Sequence, residues 1–166
     1  WFTAAKTIVS ADPGGAALDM PAGPSEVMVV ADDSAAERAV ALDLLSQAEH
    51  GPDSQVILVT TSEQLAKAVD AAIGVVLKTL PRRAITEQAL NYRMSILVDS
   101  IEEAIDVANA YAPEHLIIQV NAPRDYMKRV QNAGSIFLGP WTPESVGDYC
   151  SGTNHVLPTY GYARSY

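Results

Sequence analysis

Short β-branched runs alternate with longer stretches of helical periodicity along most of this chain. Residues 26–31, Glu-Val-Met-Val-Val-Ala, form an apolar run with a Pro/Gly cluster before it and Asp32-Asp33-Ser34 after it. Such a run reads as a buried parallel strand leading into a helix N-cap at Ser34. Over residues 34–49 apolar residues fall at helical spacing (Ala41, Leu44, Leu45, Ala48) until Gly51-Pro52 stops them. The cycle repeats with a strand at 55–60 and a helix capped by Ser62 that runs to about Lys78. A short helix near 86–91, a strand at 94–98, a helix capped by Ser100 through Tyr111, a strand at 115–120, a helix at 123–130 and a strand at 135–138 complete the pattern. Strands apolar on both faces, alternating with helices, predict an α/β fold: a Rossmann-like, mainly parallel sheet with helices on both sides. After Gly139, Pro, Thr, Gly, Asn and Ser dominate, which predicts a long ordered loop of the kind that carries function.

Bulk properties narrow the classes. The chain has 166 residues, 48% of them hydrophobic and only 19% charged, enough for one ordered domain with a real core. A net charge of -9 argues against nucleic acid and anionic membranes as partners, since both need clustered Lys and Arg. Cys150 is the single cysteine, so an internal disulfide is impossible and a reducing, cytoplasmic compartment is expected. No apolar run is long enough to span a bilayer. There is no initiating Met, Trp1-Phe-Thr-Ala-Ala-Lys6 reads like the middle of a helix, and residues 160–166 lack the look of a terminus. Both ends therefore read as cut.

The three histidines, His50, His115 and His155, can be weighed singly. In open parallel sheets ligands collect beyond the carboxyl ends of the strands, and the candidates are expected there. In Ser46-Gln-Ala-Glu-His50-Gly, a step of three residues turns a helix by about 300°, so Gln47 and His50 project from neighbouring faces. Amide oxygen and imidazole there could share one metal ion; equally, His50 could simply complement the helix C-terminus. In Ala112-Pro-Glu-His-Leu116 the proline halts a helix and sets an acid beside an imidazole. That pair suits proton transfer near neutral pH in a partly dry site, or is a surface Glu beside a loop-capping His. The segment 141–156 gathers Glu144, Asp148 and His155 among turn formers. Asp148 could complete a ligand set with Gln47 and His50, or the carboxylates could be turn residues. No G-x-G-x-x-G, P-loop or G-x-S-x-G pattern occurs, so residues binding a dinucleotide are not identified.

Six stretches together carry a family resemblance: Asp19-Met-Pro-Ala-Gly-Pro-Ser-Glu26, Asp43-Leu-Leu-Ser-Gln-Ala-Glu-His-Gly-Pro-Asp-Ser-Gln55, Ala112-Pro-Glu-His-Leu116, Asn132-Ala-Gly-Ser135, Pro143-Glu-Ser-Val-Gly-Asp-Tyr149 and Ser151-Gly-Thr-Asn-His-Val-Leu-Pro158. In this order they resemble histidinol dehydrogenase over almost the whole chain, as an internal fragment lacking N- and C-terminal portions. The resemblance implies an aldehyde-dehydrogenase-like fold and a zinc-dependent, NAD-linked oxidation of L-histidinol to L-histidine through L-histidinal, the last step of histidine biosynthesis. By motif position it implies Gln47, His50 and Asp148 as zinc ligands and Glu114 and His115 as the acid/base pair. Ser25, Glu144 and His155 would contact substrate, together with Gln47, His50, His115 and Asp148.

The same resemblance implies a homodimer with shared sites, in the cytoplasm or, for a plant source, a plastid. A further histidine ligand would lie in a C-terminal tail that this sequence does not contain, so the chain alone is expected to be nearly inactive. The expected division is residues 1–22 as the end of an NAD-side domain, 23–140 as the Rossmann-like domain, and 141–166 as an active-site loop leading into a C-terminal segment. The rival reading, a non-catalytic α/β binding or assembly module on the same scaffold, gives no reason for matching acid/base and metal sets.

Overall fold

The computed structural model describes residues 2–18, 20 and 23–165, apart from the side chains of Phe2 and Thr3. Trp1, Asp19, Pro21, Ala22 and Tyr166, which belong to the sequence patterns above, lie outside the described residues. The helices are α1 (Phe2–Ser10), α2 (Glu37–Ala48), α3 (Glu63–Val76), α4 (Arg83–Leu90), α5 (Ile101–Tyr111), α6 (Pro123–Tyr126) and α7 (Glu144–Tyr149). The strands are β1 (Glu26–Ala31), β2 (Gln55–Thr60), β3 (Met94–Leu97), β4 (His115–Gln119) and β5 (Ser135–Leu138).

The five strands form one sheet in the order β3-β2-β1-β4-β5, and every pairing is parallel. The chain leaves β1 for β2 on one side and returns from β3 to β4 on the other, so the direction of winding reverses between β1 and β4. Alternation along β1 sorts the two cores. Val27, Val29 and Ala31 pack under α2, α3 and α4 with Leu44, Leu45, Val69 and Ala89. Met28 and Val30 face α5 with Ile101, Ile105 and Leu116. Central strands buried on both faces explain the unbroken β-branched runs.

Several boundaries differ from the sequence expectation for identifiable reasons. Ser62 and Ser100 cap α3 and α5 through the amides of Leu65 and Glu103. Ser34 caps nothing; its amide turns back onto the Asp32 carboxylate at 3.0 Å, and α2 starts at Glu37 without a side-chain cap. Helix α4 begins at Arg83, three residues before the expected start near Thr86, within the margin with which a pattern marks a helix end. Strand β3 is an edge strand with Met94 and Leu97 exposed, so its apolar character is not matched by burial on both faces. The stretch after Gly139, expected as loop throughout, contains the short helix α7.

Candidate active site

The approach to β4 fixes the acid/base candidates. Helix α5 ends at Ala112 in the left-handed conformation (φ 59), which a residue with a Cβ adopts only at a cost. Pro113 then bars any further helix. Glu114 and His115 therefore enter the sheet at the amino end of β4, beside the amino end of β1. The expectation that the site lies beyond the carboxyl ends is corrected here: Ser25, Glu114 and His115 all sit at the opposite edge. The cause is local, since the first residue of a strand has peptide groups that the ladder does not use.

Glu26 supplies those groups. Its amide donates to Glu114 Oε2 at 2.9 Å, and its carbonyl lies 3.0 Å from His115 Nδ1. A carbonyl can only accept, so Nδ1 carries the proton of neutral His115 and Nε2 keeps its lone pair. Nδ1 also lies 3.6 Å from Glu114 Oε2 and 4.0 Å from Glu144 Oε2, with all three side chains buried. The Phe137 ring, 6.1 Å away between centroids, covers one side of the imidazole.

Burial sets the charge states. It holds His115 below its ordinary value, against the Glu26 carbonyl and the Asp148 charge, which work the other way. Burial lifts Glu114 to about 7, opposed by the Glu26 amide and aided by the Glu26 and Asp148 charges. Glu144 is pushed up to about 8, by burial first and then by Asp148, Asp43 and Glu114, with the Ser46 hydroxyl opposing. A neutral imidazole with a free nitrogen beside two carboxyls that titrate near neutrality can pass protons in either direction.

The metal candidates lie over the same corner. Helix α2 brings His50, just past its carboxyl end, and α7 brings Asp148 close enough for their charges to act on His115. Gln47 is buried, and among the described residues its Oε1 has no hydrogen-bond partner. An orphaned buried carbonyl oxygen is a donor that a cation could engage. His50 is exposed and gives its Nδ1 proton to the Ser46 carbonyl at 2.9 Å, leaving Nε2 open, the arrangement expected of an imidazole ligand. Asp148 sits on α7, half-buried, 3.2 Å from exposed His155. As placed, the described residues form no cluster of three or more His, Cys, Asp or Glu close enough to hold a metal. The donor set fits zinc in its chemistry, an amide oxygen, an imidazole and a carboxylate, with Gln47 outside that cluster count. Ser25 is half-buried at the turn into β1, and its carbonyl accepts the Gln55 amide at 3.0 Å.

Sequence reasoning missed Glu26, Asp43 and Gln119. Nothing in a sequence marks a peptide group as an anchor, so Glu26 left no signal. Asp43 did leave one: it is an acid beside the apolar stripe of α2, four residues before Gln47. It is buried and accepts Gln119 Nε2 at 2.6 Å, and burial lifts it to about 7. A cavity of about 570 Å³ lies elsewhere. The Glu26, Tyr111, Tyr160 and Arg164 side chains line it on the α5 face of the sheet, away from His115.

Comparison with known proteins identifies the family. The family profile described as Histidinol dehydrogenase matches residues 1–166. The chain is 58% identical over 166 residues to histidinol dehydrogenase of Vibrio cholerae and 53% identical to that of Yersinia pestis, in each case over 100% of this chain and 38% of the relative. It superimposes on the crystal structure of histidinol dehydrogenase from Elizabethkingia anophelis with a TM-score of 0.94 and 54% identity, over 99% of this chain and 37% of that one. The chain thus spans a little over a third of the length of these relatives, and it belongs to the histidinol dehydrogenase family.

Proposed function

We propose that this chain carries the acid/base pair and most of the metal-binding half of a site that oxidises L-histidinol to L-histidine through L-histidinal, the last step of histidine biosynthesis. The observation that supports this best is the fixed tautomer of His115: with Nδ1 engaged by Glu26, its basic Nε2 is available to a bound alcohol. Gln47, His50 and Asp148 would hold zinc. When bound, zinc would anchor a substrate nitrogen as a Lewis acid, and NAD would accept hydride in each of two oxidations.

His115 Nε2 takes the hydroxyl proton as the alcohol carbon is oxidised. Glu114 then takes a proton from the water that hydrates the aldehyde, a role for which a carboxyl titrating near 7 is suited. Ser25, Glu144 and His155 contact the substrate's polar groups and orient the reacting carbon, where most of the rate gain from binding arises. The complete protein acts as a cytoplasmic homodimer with shared sites. The 166-residue chain alone lacks a further histidine ligand and turns over little histidinol.

Metal analysis of the dialysed chain tests the assignment. Near-stoichiometric zinc that disappears in His50→Ala supports the half-site, whereas zinc retained in that variant removes His50 from the ligand set. Histidinol-dependent NADH formation by the purified chain at a rate ordinary for enzymes would overturn its inactivity.

A further inference from the structure

The Asn132-Ala-Gly-Ser135 stretch carries no group that the proposed chemistry uses, yet it abuts the peptide from which Glu114 and His115 project. The Ser135 amide donates to the Glu114 carbonyl at 2.8 Å, and the Gly134 amide donates to the Pro113 carbonyl at 3.0 Å. Gly134 comes so close that a Cβ there would stand 2.5 Å from the Glu114 carbonyl oxygen and 3.3 Å from its carbon. Real Cβ atoms do not approach backbone so closely, and something must move.

The turn has little room to retreat. The same Cβ would stand 3.3 Å from Leu157 Cβ on its other side, and Leu157 is itself buried. Asn109, on α5, fastens the other end of the turn. Its Oδ1 accepts the Gln131 and Asn132 amides at 2.7 and 3.2 Å, and its carbonyl accepts Asn132 Nδ2 at 2.9 Å. A turn pinned at both ends passes an added methyl group to whatever lies in front of it.

We propose that Gly134 is a positioning residue: the 131–134 turn is a backstop that sets the Glu114–His115 peptide against β1, so that His115 Nδ1 meets the Glu26 carbonyl and Nε2 is left free for substrate. This rests on reading Glu114 and His115 as the acid/base pair. The backstop adds no donor or acceptor to the reaction, and its effect is confined to where Glu114 and His115 point.

The test is the ¹⁵N signature of the His115 ring in the histidine-labelled 166-residue chain. Neutral imidazole in water favours the Nε2–H form, so an Nδ1–H signature at His115 reports the Glu26 contact directly. The wild type is expected to show Nδ1–H, and Gly134→Ala a shift toward Nε2–H. Gly74→Ala, in a helix where an added Cβ meets nothing within 4 Å, should leave the signature unchanged. Asn109→Ala loosens the turn without adding an atom and should weaken the same signature, which decides the matter if Gly134→Ala does not fold. A folded Gly134→Ala or Asn109→Ala chain with the wild-type signature overturns the proposal, because mere loss of stability would not alter the tautomer. The signature is read without turnover, so it decides positioning alone; the acid/base reading stands or falls separately on the activity of His115→Asn in a chain restored to the relatives' full length.

Discussion

The two ends of β1 and β4 have the same topology and opposite polar chemistry. At the carboxyl end, where doubly wound sheets usually bind their ligands, the gap between the strands is stitched shut. Asp32 Oδ2 accepts the Asn121 amide and Oδ1 the Ser34 amide, each at 3.0 Å. The Asp32 amide in turn reaches the Gln119 carbonyl at 3.4 Å. At the amino end the free peptide groups of Glu26 go to Glu114 and His115 instead, and nearby Gln47 Oε1 and Glu144 Oε2 have no partner among the described residues. The difference teaches that a switch of winding direction gives two places where strands diverge, and that the candidate residues gather at the amino end, where the Glu26 peptide groups hold an acid and an imidazole. Orphaned buried oxygens occur at both ends, Gln119 Oε1 being one at the carboxyl end.

Four measurements would break or sharpen this contrast. The largest effect is expected at the amino end: in a chain restored to the relatives' full length, His115→Asn should lower kcat by about 10²–10⁴-fold. Steady-state kinetics showing less than tenfold loss would remove His115 as the base.

Next comes Asp43, buried on α2, which accepts Gln119 Nε2 at 2.6 Å. Its carboxyl titrates at about 7 when folded against 3.8 ordinarily, so the folded chain keeps a proton that the unfolded chain releases. Stability therefore falls as pH rises from 3.8 to about 7 and levels off above that. Asp43→Asn should flatten that decline by on the order of a few kcal/mol, as read by urea melts across the window. The slopes from Glu114 and Glu144 remain, and an unchanged profile would show that Asp43 ionises normally.

At the carboxyl end, Asp32→Ala should cost about 1–2 kcal/mol by freeing two amides, while the His115 ring signals stay put. Movement of those signals would mean that the two ends are coupled. Smallest of all, Ser62→Ala should cost about 1 kcal/mol through its lost cap on α3, measured by thermal melting, with no effect on metal content.

Much of this was legible in the sequence. The β-branched runs located all five strands because the central ones are buried on both faces, and Ser62 and Ser100 announced their helices because a hydroxyl cap is a local bond. Ser34 misled because Asp32, two residues earlier, competes for its amide. The short helix α7 was hidden in a stretch whose Pro, Gly and Thr favour turns, and its packing depends on contacts distant in sequence. Candidate site residues could be named from motif positions. The edge on which they lie could not, since it depends on which peptide groups the finished ladder leaves over.

The carbonyl that orients His115 belongs to the main chain, so no side-chain replacement at position 26 can delete it. The direction of the His115 ring is inherited from the pairing of β1 with β4, with the 131–134 turn behind it. On warming, the Nδ1–H signature of His115 should therefore persist up to the point where the centre of the sheet melts, and its loss should coincide with unfolding rather than precede it.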